Sequence, residues 1–153
     1  MNLTIREAAA ADWRFIEVLG KRTVMDSVST LRHPDKEDVV ESFEQLLEVV
    51  LARRHLALIA EADGRAVGFL LALDSLPDEV TGEDQAFIAY MAVDPSLRGG
   101  GIGAALLERA EDEARRRGAP YMSLMVTEEN AAARSLYARA GYAVERRLLC
   151  KAL

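Results

Sequence analysis

Four of the five residues from Gly99 to Gly103 are glycine, and they stand between an apolar run that ends in "AVDP" and an alanine- and leucine-rich helical pattern. Glycine loses more conformational freedom on folding than any other residue, so this density at one junction implies a backbone that side chains would obstruct. A strand that stops at Asp94-Pro95 and restarts as a helix through "RGGGIG" presents several helix-start N–H groups that lack partners and are not screened by β-carbons. The helix dipole favours a negative charge there, and Arg98 adds a fixed positive one. The junction reads as a turn that holds an anion.

Two familiar anion loops are excluded by spacing. A dinucleotide fingerprint needs G-x-G-x-x-G, but Gly99, Gly101 and Gly103 are two apart and the third required glycine falls on Ala104 or Leu106, depending on register. A nucleotide-triphosphate loop ends in Gly-Lys-Ser/Thr, whereas Gly103 is followed by Ala104 and Ala105. A dinucleotide site also opens its domain, and this turn lies about two-thirds along the chain.

The remaining chain alternates element types without an internal repeat. "LTIRE" (residues 3–7) reads as a first strand, and residues 10–28 as a helix in spite of Gly20 near the middle. Pro34 suits the first turn of a second helix, on which Val39, Phe43, Leu46, Leu47 and Val50 share a face. Residues 56–73 hold two apolar runs around Asp63-Gly64, a pair that tolerates positive φ and so marks an antiparallel hairpin. A polar, acidic loop over residues 74–84 leads to an apolar strand over residues 85–95. Beyond the glycines, Ile102, Leu106, Leu107, Ala110 and Ala114 line one helix face. Glu111, Asp112 and Glu113 each precede an arginine by four residues, and Gly118 suits the C-cap. Residues 121–127 read as a strand, Asn130 as the cap of a helix over residues 131–140 that Gly141 ends, and residues 142–153 as a closing strand. The order is βααββ followed by βαβαβ.

A chain of 153 residues, 50% of them apolar, is expected to form a single domain over residues 1–153 around a sizeable core. Its 19 Lys and Arg against 25 Asp and Glu give a net charge of −6, which argues against a protein that neutralises many nucleic-acid phosphates. The single cysteine, Cys150, excludes an internal disulfide framework and a cysteine-rich metal site. No apolar run approaches the roughly 20 residues of a membrane span, and "MNLTIREAAA" lacks the order of a secretory signal, so a cytoplasmic protein without a membrane partner is expected.

The R-x-x-G-x-G order of Arg98 to Gly103, preceded by a strand ending "VDP" and followed by "NAAARSLYARAGY", resembles the GCN5-related N-acetyltransferase (GNAT) superfamily. The resemblance covers essentially the whole chain. It implies an α/β fold with a mixed, mostly antiparallel central sheet flanked by helices, in which strands four and five splay to admit acetyl-CoA. It also implies acetyl transfer to a primary amine, with a small molecule as the expected acceptor, by direct attack in a ternary complex and without a metal; a homodimer is allowed. Met91, Ala92 and Val93 match the strand that pairs with the pantetheine arm. Arg98, Gly99, Gly100, Gly101, Ile102, Gly103 and Ala104 match the pyrophosphate turn, and Asn130 matches the asparagine that contacts the cofactor arm. Tyr137 matches the tyrosine near the thioester sulfur. A phenol with a reference pKa of about 10 is protonated at neutral pH and can serve as the acid for the departing thiolate. Tyr137 also shares a helix face with Ala133 and Ala140, so packing is its competing role.

The chain departs from the resemblance at the base. Glutamates that relatives carry on strand four fall here at Phe87 or Ala89, and the one in ribosomal-protein and N-terminal acetylating members falls at Met125. The base is left open among Glu83, Asp84, Tyr90 and Glu128. A protein lysine or N-terminal acetyltransferase is the runner-up, and a non-catalytic acyl-CoA-binding sensor is the alternative of another class. Cys150, His33 and His55 are assigned neither catalysis nor a metal.

Overall fold

In the computed structural model, which describes residues 1–153, Asp63 (φ 51°) and Gly64 (φ 79°) make the two-residue turn that their composition demands. They join β2 (His55–Ala62) to β3 (Arg65–Leu73) as an antiparallel hairpin with Ala62 opposite Arg65. β1 (Leu3–Glu7) pairs with β2, and β4 (Ala86–Val93) pairs with β3, both antiparallel. β5 (Met122–Leu124) joins β4 in parallel, completing a five-stranded sheet in the order β1-β2-β3-β4-β5.

Helices cover both faces. α1 (Trp13–Thr23) and α2 (Lys36–Leu51) set Ile16, Leu19, Phe43, Leu47 and Val50 over Ala57, Ile59, Phe69, Leu71 and Ala92. On the other face α3 (Ile102–Arg116) sets Ile102, Leu106, Leu107 and Ala110 over Leu56, Leu58, Leu70 and Ile88. α4 (Ala131–Arg139) adds Tyr137 at the margin of this second core. No helix is long and apolar enough to cross a membrane.

Gly20, unfavourable by propensity inside α1, has a packing reason: a β-carbon there would lie 2.0 Å from Phe43 Cζ. The glycine lets α1 and α2 approach until the ring fills the missing side chain's place. Pro34 stands just outside α2, because Asp35 takes the extended N-cap conformation and Lys36 is the first helical residue. Glu113, expected only to pair with the arginine four residues on, is 1% exposed. Three arginines surround it: Arg116, Arg117 at 3.0 Å and Arg109 at 3.2 Å. Their hydrogen bonds, Arg116's first, hold its carboxyl down to about 2. Arg117 reaches on to Asp74 at 2.7 Å and the His55 carbonyl at 3.2 Å, fastening the end of α3 to the sheet.

The expected closing strand over residues 142–153 does not form. The three residues of β5 offer little edge for pairing, and Glu145, Arg146 and Arg147 interrupt any apolar alternation. Arg146 turns instead to Asp78, and Val144, Leu148 and Leu149 lie exposed.

Candidate active site

The sheet opens where β4 and β5 part. Their pairing stops at Ile88 opposite Leu124, so Ala89–Val93 has no strand beside it on that side. Just there the register with β3 jumps from Ala72–Ile88 to Leu71–Tyr90, which makes Ala89 the extra residue of a β-bulge. The bulge breaks the side-chain alternation. Ala89 and Tyr90 both pack on the α1/α2 side, while Met91 and Val93 pack on the α3 side.

The glycine turn follows directly. Asp94 Oδ1 accepts from Ser96 N at 2.9 Å and Ser96 Oγ at 2.8 Å, building a short 3-10 turn over Pro95–Leu97. Gly99 and Gly101 both have φ +83°, and nothing lies within 4 Å of where their β-carbons would stand. Gly101 is the N-cap of α3. These two glycines serve backbone conformation and leave open space in front of the α3 amides. Gly103 serves packing: a β-carbon would meet Leu136 Cδ2 at 3.2 Å and Met91 Cε at 3.8 Å, so its absence lets α4 and β4 close on the first turn of α3. Ile102 is buried and Ala104 exposed. A groove of about 260 Å³ beside this turn is lined by Glu108 and Glu111 as well as Arg139, a poor lining for an anion.

Asn130 caps α4 as expected, accepting from Ala133 N at 3.2 Å. Seven residues on, Tyr137 is half-buried in edge contact with Tyr142, ring centroids 5.9 Å apart. Tyr142 donates to Glu111 at 3.2 Å. Burial pushes the Tyr137 phenol above its ordinary value, and no protein group opposes that shift.

Arg98 does more than face the turn. It donates to Asp26 Oδ2 at 2.9 Å and, through Nε, towards the Val93 carbonyl at 3.4 Å. A second pair, Arg22 with Asp94 at 3.1 Å, braces the same junction from α1. Residues 27–30, between α1 and α2, are strapped to the β5–α4 loop. Thr127 Oγ1 donates to the Ser27 carbonyl at 2.6 Å, and Glu129 Oε1 accepts from Thr30 N at 3.1 Å and Thr30 Oγ1 at 2.5 Å. Sequence reasoning missed this strap; its one local signal is the run of hydroxyls at Ser27, Ser29 and Thr30.

The open question of the base narrows. Glu83 sits against Tyr121, Asp84 accepts from Ser75 Oγ and Gln85 N, and Glu128 pairs loosely with Arg134 at 3.7 Å. Tyr90 Oη shares a hydrogen bond with Thr23 Oγ1 at 2.9 Å, and its ring lies between Phe43 and Phe69. Burial pushes its phenol up, the wrong direction for a base at neutral pH. Asp78 in the acidic loop is an organiser of that loop, accepting from Val80 N at 3.0 Å and Thr81 N at 2.7 Å. No three His, Cys, Asp or Glu side chains are gathered as for a metal. Cys150 is exposed, and His55 Nδ1 is bonded to the Arg53 carbonyl at 2.8 Å.

This architecture recurs in solved structures. A putative acetyl transferase from Pyrococcus furiosus superposes with TM-score 0.79 at 29% identity, over 99% of this chain and 100% of that one. An aminoglycoside N-acetyltransferase in complex with CoA shares the fold at TM-score 0.72 and 21% identity, over 99% of this chain and 95% of the other. In sequence, a mycothiol acetyltransferase from Beutenbergia cavernae is 45% identical over 67 residues, 44% of this chain; the match spans only 21% of that relative's length. The model of the acetyltransferase (GNAT) family matches residues 22–142, and the chain belongs to that family.

Proposed function

We propose that the chain transfers an acetyl group from acetyl-CoA to a primary amine of a small molecule by direct attack in a ternary complex. The observation that carries this reading is the continuity of the unpaired β4 edge with the glycine turn. One track of backbone groups runs from Ala89 through Val93 to the start of α3. The residues present fit the cosubstrate. The free edge of Met91, Ala92 and Val93 suits an arm rich in amides, by the strand-addition logic of sheet edges. The amides from Gly99 to Ala104 suit a pyrophosphate, with open space at Gly99 and Gly101 and Arg98 at hand. Asn130 serves both as cap and as a contact for the arm.

Acetyl-CoA supplies the activated acetyl group and a thiol leaving group. The chain's part is to orient the acyl carbonyl against the β4 amides freed by the bulge and to exclude water from the gap between β4 and β5. Tyr137 Oη holds its proton at neutral pH and gives it to the departing sulfur. Phe87 and Ala89 on β4 and Met125 just past β5 leave no carboxylate at the positions where relatives carry one, so the amine's proton goes to water. A small-molecule acceptor is supported by the names of a mycothiol and an aminoglycoside acetyltransferase among the similar proteins, and by Met125 in place of a glutamate. The missing carboxylates also favour a second reading, a domain that binds acyl-CoA without turnover.

The test follows thiol release with acetyl-CoA and a panel of polyamines, amino acids, aminoglycosides and peptides. Release dependent on a small amine is the expected result. Release with peptides alone would overturn the small-molecule assignment, and binding of acetyl-CoA without any release would favour the sensor.

A further inference from the structure

The groove between α3 and α4 has no part in the proposed acetyl transfer. Ala104, Glu108 and Glu111 follow one another on α3 at four- and three-residue steps, and Leu136 and Arg139 do so on α4, so two helix stripes form its walls. Leu107, fully buried, and Leu136, half-buried, give it an apolar floor. Opposite charges line it without neutralising each other. The arginines of α3 are taken by other carboxylates: Arg109, Arg116 and Arg117 by Glu113, and Arg115 by Asp112 at 3.0 Å. Glu108 is thereby left without a cation. Glu111 is partly engaged, accepting from Tyr142 Oη at 3.2 Å with Arg115 at 3.6 Å. Across the groove, Arg139 Nη1 donates to the neutral Ser135 Oγ at 2.6 Å and has no carboxylate.

This lining selects by elimination. Two carboxylates repel a phosphate or any other anion, Arg139 repels a dication, and three charged groups disfavour a plain hydrocarbon. What remains is a ligand with one charge of each sign and an apolar body. At ~30 Å³ for a water-sized atom, the groove's volume of about 260 Å³ takes some eight or nine non-hydrogen atoms, the size of valine or leucine. We propose that the groove binds a free α-amino acid with a short aliphatic side chain. Its ammonium meets Glu108 and Glu111, its carboxylate takes the Arg139 fork, and its side chain lies on Leu107 and Leu136. The ligand bridges the two helices, and the site stands whether or not acetyl-CoA binds at the glycine turn.

The test is an NMR titration of the full chain with L-valine and L-leucine, in the absence of acetyl-CoA. Saturable shifts of the Leu107 and Leu136 methyl groups are expected, with Kd on the order of 1 mM for so small a ligand at an open site. L-Leucinamide lacks the carboxylate and N-acetyl-L-leucine lacks the ammonium. Each should bind at least about 10-fold more weakly, as expected for loss of a charge-assisted contact. Glu108→Gln and Arg139→Gln should weaken L-leucine by a similar factor, and both side chains are exposed, so the variants keep the fold. Equal binding of L-leucine and its two analogues, or unchanged affinity in both variants, overturns the proposal. So do shifts confined to the β4–β5 opening, which would make the amino acid a ligand of the acetyl-transfer site. Self-association of the parent that is lost in both variants, without amino-acid binding, would give the groove to a second copy of the chain instead.

Discussion

Replacing Gly20 with alanine sets helix propensity against packing. In a free helix the change gains about 1 kcal/mol. Here the new β-carbon would stand 2.0, 2.3 and 2.8 Å from Phe43 Cζ, Cε1 and Cε2. Carbon atoms in contact sit about 3.5 Å apart or more, so the ring has to retreat by roughly 1.5 Å. It has little room: Phe43 is 2% exposed, and its centroid lies 5.0 Å from that of Tyr90. Overpacking costs about 1–3 kcal/mol, and this clash belongs at the upper end. The net loss is about 2 kcal/mol, a fall in Tm of about 4–8 °C for a chain of this size. Urea and thermal denaturation followed by circular dichroism measure it. The double variant Gly20→Ala, Phe43→Leu should lose less than the sum of the two single changes, because the smaller side chain removes the clash. A Gly20→Ala protein as stable as the parent, or strict additivity in the double variant, would refute the packing argument.

Tyr137→Phe should lower kcat by about 10²- to 10⁴-fold while leaving acetyl-CoA affinity and Tm near parental values, since the hydroxyl has no protein partner to lose. Steady-state kinetics at saturating amine decides this, and a parental kcat removes the residue from the mechanism. Acid should weaken the fold through Glu113 and Asp78, both held down to about 2, Glu113 by its arginines and Asp78 first by the Thr81 amide. A lowered folded-state pKa stabilises fully above the ordinary carboxylate value and is lost as pH falls from about 4 towards 2. Urea midpoints measured from pH 6 to pH 2.5 should decline over that window, and less steeply in Glu113→Gln; parallel curves for parent and variant would sink the assignment.

What was legible in the chain was local. Asp63-Gly64, the α3 face, the Asn130 cap and the glycine turn each depend on residues within a few positions of one another, and each stands where the pattern put it. The bulge at Ala89 was hidden because "AFIAYMAV" is apolar throughout, so a break in alternation leaves no trace. The strap and the Asp26–Arg98 pair join positions 72 to 100 residues apart, beyond the reach of periodicity. Residues 142–153 read as a closing strand, but a strand needs an edge, and β5 is too short to lend one. Gly103 was legible as a glycine that matters, yet its packing against Leu136 appears only once α4 is in place.

The open side of β4 also bears on how copies of the protein meet one another. Five residues of extended backbone, about 17 Å, turn their outward amides and carbonyls to no neighbouring strand, which is the template on which a strand from another molecule adds. Proteins commonly blunt such edges with lysine or proline. Ala89–Val93 carries neither, and the nearest proline, Pro95, stands just past the strand's end. On the proposed function the blunting falls to the cosubstrate arm along the strand, so colloidal stability is expected to depend on occupancy. A sample stripped of that ligand should then associate more readily than a saturated one, which light scattering would show.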